Sequence, residues 1–222
     1  MVDLHLEDQG EAVEIADGAI ALGYYWYCKR FFDCAVVILL APFAICIVAL
    51  LAILVRKDGG PAFYRQPRIG FGGRTFMLWK LRTMVVDADR KLQERLSNDP
   101  EARSEWERSQ KLKADDRVTA LGYFLRKYSL DETPQLINIF LGDMSLVGPR
   151  PIMPEQRALY TSPVYYRMRP GLTGMWQVGK RNECSFAERA AVDAVYFQKM
   201  SFQTDILILA KTPAVIIRGT GV

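Results

Sequence analysis

Two adjacent carboxylates, Asp131 and Glu132, sit in the run Ser129-Leu-Asp-Glu-Thr-Pro-Gln-Leu136 and are followed by Gly148-Pro149-Arg150-Pro151. A carboxylate can act as a nucleophile or as a ligand to a hard cation. Proline fixes its own φ and restrains the residue before it, so Arg150 is presented with little conformational entropy to lose. A rigid guanidinium fork is what bidentate phosphate binding requires. Plainer readings stand beside these. Ser129 and Glu132 fit a capping box ahead of an apolar run, and Arg150 fits an ordinary turn with a solvated side chain. The cap and the chemistry are compatible, because a helix N-terminus favours the charged form of Asp131. Pro134, just past the first turn, leaves an upstream carbonyl without its helical donor, an extra oxygen for a hard cation.

The single histidine, His5, lies near the N-terminus. A histidine general base, a Ser-His-Asp triad and a histidine metal cluster are therefore excluded. Further cations occur at Lys80 and Arg82 in Lys80-Leu-Arg-Thr-Met84, in Arg169-Pro-Gly-Leu-Thr-Gly174, and at Lys180 and Arg181 ahead of Asn182. Each alone reads as a solvated charge. Asp193 and Tyr196 share a helix face at i, i+3 spacing, for which a buried hydrogen bond is the plain account.

The elements that must position these residues follow from the pattern. Cys34 to Val55 carries no charge and is long enough to cross a bilayer, where about 20 apolar residues suffice. Lys29 and Arg30 precede it, and Arg56 and Lys57 follow it. The positive-inside rule places both ends on one side, and Pro42 removes a helix hydrogen bond within the run. A helix that enters, bends near Pro42 and leaves on the same face meets both conditions; a single kinked transmembrane helix fits the length equally. Beyond Asp58-Gly-Gly-Pro61, segments around residues 62–64 and 74–80, separated by glycines, predict a small hairpin. The glycines fit neither a dinucleotide fingerprint nor a P-loop. Residues 85–113 predict two charged helices divided by Pro100, with a solvated face as their ordinary role. Helices are also expected over 118–128, 130–141 and 186–199. A final apolar patch from Phe202 to Ala210 is expected to end at Pro213, either packed on the core or lying in a membrane interface.

Composition narrows the class. The chain has 222 residues, enough for one compact fold with a core. Residues 1–24 hold six acids and no Lys or Arg, which leaves +10 on the remainder of a chain with net charge +4. This acidic stretch lacks the basic start of a signal peptide and reads as a mobile tail. A basic body beside an apolar segment suits an anionic membrane surface. The basic residues are dispersed and form no nucleic-acid motif. Cys28, Cys34, Cys46 and Cys184 form no CxxC, so they read as reduced packing residues rather than a disulfide or zinc framework.

Taken in order, these motifs resemble the bacterial sugar transferases, the monotopic phosphoglycosyl transferase family. The residues that carry the resemblance are Lys29-Arg30-x-x-Asp33, Lys80-x-Arg82-Thr-Met84, Leu125-Arg-Lys-x-Ser129-Leu-Asp131-Glu132, Gly142-Asp-Met-Ser-Leu-Val-Gly148-Pro-Arg150-Pro151, Arg169-Pro-Gly-Leu-Thr-Gly174 and Asp193-x-x-Tyr196. The match covers about residues 29–218. Two departures are Ala41 before Pro42, where members often carry Ser, and Lys180-Arg181-Asn182, where Gly-Arg-Asn is usual.

The resemblance implies a mostly helical α+β fold. It divides the chain into an acidic tail (1–24), a re-entrant membrane helix (25–57) that does not cross the bilayer, and a cytosolic catalytic part (58–222) with a small β-hairpin and interfacial helices. It implies transfer of a hexose 1-phosphate from a UDP-sugar to undecaprenyl phosphate at the cytosolic face of the bacterial inner membrane, priming exopolysaccharide or glycoconjugate synthesis. Asp131 would attack the sugar-linked phosphate and Glu132 would orient or deprotonate. Mg2+, held partly by Asp131, would neutralise the diphosphate. Lys80, Arg82, Arg150 and Arg181 would hold phosphate oxygens, with Asp193 in the same binding set. Similarity to short exopolysaccharide-priming members makes UDP-galactose the first expectation and UDP-glucose the second. A rival from another class is a non-catalytic adaptor whose basic body binds anionic lipid or an assembly partner. Whether the chain forms a homodimer stays open.

Overall fold

The computed structural model describes residues 23–109, 112, 115–160, 162–179 and 185–219. The acidic stretch up to residue 22, the Lys180-Arg181-Asn182 cations and Cys184 lie outside the described residues. The chain is mostly helical, with one long apolar helix near its N-terminus and little sheet. A π-helical turn, Tyr24–Lys29, leads into α1, Arg30–Val55. Strands β1, Phe63–Ile69, and β2, Thr75–Leu81, form the hairpin. Helices α2, Ala88–Asn98, α3, Pro100–Ser109, and α4, Ala120–Lys127, follow. A 3-10 segment, Leu130–Gln135, then leads into α5, Leu136–Leu141. The remainder is β3, Ser145–Val147, β4, Gly171–Thr173, α6, Met175–Val178, α7, Phe186–Gln198, and α8, Phe202–Ile217.

The local signals account for most of this. β1 and β2 are antiparallel, with Tyr64 opposite Lys80 and Arg68 opposite Phe76. Alternation along the strands therefore puts Gln66, Arg68, Leu78 and Lys80 on one face. Pro100 separates α2 from α3 and starts the latter, where its missing N–H costs no helical bond. Ser185 caps α7, accepting from the Glu188 amide while Glu188 reaches back to the Ser185 amide.

Three local expectations change. Ser129 adopts left-handed backbone (φ 54°) and its side chain does not cap, so residues 130–135 form a 3-10 segment and the α-helix begins only at Leu136. Pro134 explains the tighter turn, since it cannot donate to the Leu130 carbonyl. The Thr133 hydroxyl donates to that carbonyl at 2.9 Å instead, so the oxygen expected to be spare for a cation is already engaged. Pro213 does not end the last helix, which runs on to Ile217.

The main core lies where the hairpin, α5, β3, α7 and α8 converge, and includes Phe76, Leu78, Ile139, Val147, Tyr196 and Ile208. Asn138, fully buried, joins α5 to the outer edge of β2: it accepts from the Trp79 amide at 3.0 Å and donates to the Met77 carbonyl at 2.8 Å. Those two bonds fix the strand residue next in line, Lys80, beside the 3-10 segment.

Helix α1 is held to this body at both ends. At its start Lys29 pairs with Asp205 of α8, the two side chains being 3% and 0% exposed. Arg30 donates to the Ile139 and Phe140 carbonyls at the end of α5, and Asp33 accepts from the Leu146 amide of β3 at 3.1 Å. At its finish Leu51 and Val55 pack on Leu81 and Leu125. Between these ends the helix is bare: only 11% of its most apolar window is buried, and it runs through Pro42 as a single element. Ile38, Leu39, Phe43, Ile45 and Ile53 are exposed. Cys28 and Cys46 are exposed as well, rather than packed as expected.

Candidate active site

The 3-10 segment presents Asp131 and Glu132 to the hairpin face that carries Lys80. Lys80 Nζ lies 2.8 Å from Glu132 Oε1 and 3.5 Å from Asp131 Oδ2. Arg150 Nη2 stands 3.9 Å from the same Glu132 oxygen. Lys80, Glu132 and Arg150 line a small open cleft that Asp131 borders, and its walls also include Arg68, Gln135, Pro151, Gly171 and Gln177. Asp131 is 5% exposed. Burial pushes its carboxyl above the usual range; Lys80 opposes that rise, Glu132 adds to it and Arg126 opposes it. The direction of the shift is opposite to the helix-terminus expectation. Asp131 lies in the 3-10 segment rather than at the start of an α-helix, and the charges that favour its ionised form belong to Lys80 and Arg126.

Arg150 is positioned by backbone packing at the β3–β4 junction. The Gly171 amide donates to the Pro149 carbonyl at 2.8 Å, and the Gly148 amide to the Thr173 carbonyl at 2.9 Å. The two chains approach so closely that a Cβ on Gly148 would meet the Arg169 carbonyl at 2.4 Å, and one on Gly171 would meet the Gly148 nitrogen at 2.1 Å. Both motifs, Gly-Pro-Arg-Pro and Arg-Pro-Gly-Leu-Thr-Gly, are thus halves of one joint that aims Arg150 over the cleft. Behind it, Arg189 of α7 donates to the Arg150 carbonyl.

Two residues expected at the phosphates are elsewhere. Arg82 is buried and clamps the end of α1: Nη1 lies 2.8 Å from Asp58 Oδ2, Nη2 donates to the Val55 carbonyl at 3.1 Å, and Nε donates to the Pro61 carbonyl at 2.6 Å. Its position two residues beyond Lys80 puts it on the same strand face, yet at the strand end, where the helix terminus captures it. Asp193 accepts from the Tyr160 hydroxyl in the interior and does not line the cleft. Burial raises its carboxyl to about 6, against the lowering effects of Tyr160 and Arg189. Tyr196 points away from it, donating to Asp205 at 2.6 Å. The plain reading of this pair, buried hydrogen bonds, describes both residues. Arg181 lies outside the described residues.

The cleft also contains residues that motif reading passed over: Arg68, Gln135 and Gln177. Arg68 shares the strand face of Lys80, and alternation counted back through the hairpin would have found it had β1 been extended to Ile69. Arg126 faces Asp131 from α4, with its Nε held by the Thr83 hydroxyl at 2.8 Å.

Among the described residues no group of three or more His, Cys, Asp and Glu gathers. The donors present are two adjacent carboxylates, hard oxygen ligands without nitrogen or sulfur. That set fits a Mg2+ ion that keeps most of its shell for water and substrate phosphate.

Chemically, the site combines one buried carboxylate, one bridging carboxylate and a surround of cations. It suits attack on a phosphorus atom whose oxygens those cations neutralise. The family model described as bacterial sugar transferase matches residues 24–219. The undecaprenyl-phosphate galactose phosphotransferase of Salmonella typhimurium is 45% identical over 197 residues, 88% of this chain and 41% of that protein. The exopolysaccharide production protein ExoY of Sinorhizobium fredii is 46% identical over 200 residues, covering 86% of this chain and 87% of the relative. The UDP-glucose:undecaprenyl-phosphate glucose-1-phosphate transferase of Caulobacter vibrioides is 38% identical over 195 residues, 83% and 67% of the two chains. The chain thus spans less than half of the Salmonella relative and most of the Sinorhizobium one. On the match of the family model across nearly the whole described chain, this protein belongs to the bacterial sugar transferase family.

Proposed function

We propose that the protein transfers a hexose 1-phosphate from a UDP-sugar to undecaprenyl phosphate in two displacements at Asp131. In the first, an Asp131 carboxylate oxygen bonds to the sugar-linked phosphorus, the bond from that phosphorus to the bridging oxygen breaks, and UMP leaves with the electron pair. In the second, a phosphate oxygen of the lipid bonds to the same phosphorus and the Asp131 carboxylate is released. Splitting one displacement into two is what a carboxylate nucleophile allows. The observation that carries this reading is Lys80 reaching both Asp131 and Glu132 in a cleft that Arg150 overhangs. Lys80 offsets the repulsion between Asp131 and an incoming phosphate, and Glu132 fixes Lys80 and Arg150 in place. Mg2+ held by Asp131 would supply neutralisation of the diphosphate charge. The names of the Salmonella and Sinorhizobium relatives favour UDP-galactose and exopolysaccharide priming, while the Caulobacter name supports UDP-glucose as the second choice.

We also infer that α1 enters the membrane and returns to the same, cytosolic face. Its two ends are tied to one body, by Lys29, Arg30 and Asp33 at the start and by Arg82 at the finish. At about 1.5 Å per residue a straight helix of its 26 residues reaches about 39 Å. That exceeds the roughly 30 Å of bilayer hydrocarbon, so a perpendicular crossing would carry the two anchors to opposite sides. Exposed apolar residues on the flanking elements, Phe124, Phe140, Leu141, Phe202 and Leu207, extend the lipid-facing surface.

The test is transfer of labelled sugar phosphate from UDP-galactose or UDP-glucose to undecaprenyl phosphate in vesicles. Wild type transfers and Asp131→Asn does not, although both associate with the membrane. Full transfer by Asp131→Asn would rule out the covalent route. No transfer of any sugar by folded wild type would leave the adaptor.

A further inference from the structure

On its cleft side the Arg150 side chain is 37% exposed and stands 3.9 Å from Glu132. Behind it the packing is much tighter. Arg189 of α7 is 8% exposed and donates through Nη2 to the Arg150 carbonyl. Its guanidinium packs against two rings, 5.0 Å from the centre of Trp176 and 5.5 Å from that of Tyr160, the stacking a planar cation favours. Both rings are anchored to the chain around Arg150. Trp176 belongs to α6, entered through Gly174, where a Cβ would meet the Gly148 carbonyl at 2.1 Å. The Tyr160 hydroxyl donates to Asp193, one turn beyond Arg189 on α7, and its ring lies 5.0 Å from that of Tyr165. The Tyr165 hydroxyl in turn accepts from the Ile152 amide at 3.1 Å.

We propose that Arg189 is a positioning residue for Arg150: it fixes the Arg150 backbone through the carbonyl bond and, as a like charge held behind it, drives the Arg150 guanidinium forward over the cleft. This role rests on the transfer reading above. Arg189 does not line the cleft, so it acts through Arg150 and not on a substrate. The two cations sense each other: burial lowers the Arg189 guanidinium, Tyr160 and Asp193 oppose that fall, and Arg150 adds to it. Repulsion between like charges is stronger in a buried setting than in water. Trp176 and Tyr160 keep Arg189 from yielding, so the exposed partner is the one that moves, towards Glu132. A flexible lysine at 189 would keep the charge and a donor but lose the planar fit between the rings.

The experiment is a double-mutant cycle read as release of radiolabelled UMP from UDP-galactose or UDP-glucose by the purified full chain, followed long enough to rate the slow variants, with melting curves alongside. Arg189→Met lowers the rate by about tenfold where Arg150 is present, the loss expected for one hydrogen bond from a charged donor. In an Arg150→Gln background the same substitution changes the rate by less than about twofold, because its effect passes through the missing guanidinium. Arg189→Lys recovers part of the loss, and it carries the same cycle if Arg189→Met does not fold. A role confined to folding would cost the same factor in both backgrounds, so equal factors overturn the positioning role and leave the transfer reading intact. No release of UMP from either sugar by folded wild type overturns both.

Discussion

Asp131 and Lys80 are the pair on which the proposed chemistry turns. Replacing Lys80 with Met keeps most of the side-chain volume but removes the charge that reaches both carboxylates. A loss of about 10^2 to 10^3 in the rate of UMP release is expected, with little change in melting temperature; a rate within twofold of wild type would remove Lys80 from the mechanism. Asp193 titrates for a different reason. Its folded-state value is raised to about 6, above the roughly 3.9 of an unfolded chain. The stability it contributes is therefore fully present below pH ~4 and lost as pH rises through about 6. Asp193→Asn should flatten the stability profile across that window in denaturant titrations, and an unchanged slope would show that the carboxyl is not buried neutral. At this scale much was legible: the carboxylates and Arg150 announce themselves because proline and acid pairs carry local signals. Arg82 did not, since nothing in its neighbours reveals that a helix end will claim it, and Arg68 did not, since its place depends on how far the strand runs.

Helices and strands were legible wherever periodicity and punctuation agree, as at Pro100 and at the glycines of the hairpin. They were misread where one residue serves two rules. Ser129 and Glu132 fit a capping box, yet Ser129 takes left-handed backbone and Pro134 tightens the segment into a 3-10 turn. The elements are joined by a few buried charges, and the Lys29–Asp205 pair between α1 and α8 is the sharpest of them. Lys29→Met leaves Asp205 buried with only the Tyr24 and Tyr196 hydroxyls. Its expected cost is about 3 to 5 kcal/mol. The double variant Lys29→Met/Asp205→Leu should recover most of this, because two apolar residues replace two buried charges. A double variant no more stable than the single one would mean the pair does not join the helices.

The whole molecule is a body with a cationic cleft and an apolar helix that it grips at both ends. The charge-free run from Cys34 to Val55 made the apolar helix legible, but not the grip itself, which depends on contacts with Phe140, Leu146, Asp205 and Leu125 far along the chain. If both ends return to one face, single cysteines placed at Tyr27 and Lys57 in a cysteine-free background react with an impermeant reagent from the same side of sealed vesicles. Reaction from opposite sides would make α1 a transmembrane span. The central claim, however, is the bond to Asp131, and it is tested most directly by intact-protein mass. Purified protein is mixed with Mg2+ and UDP-galactose, then with UDP-glucose, without a lipid acceptor. A gain equal to one phosphohexose, lost in Asp131→Asn and discharged on adding undecaprenyl phosphate, is the predicted result. Turnover to lipid-linked product with no mass gain at any time, under conditions where an adduct would persist, would contradict it.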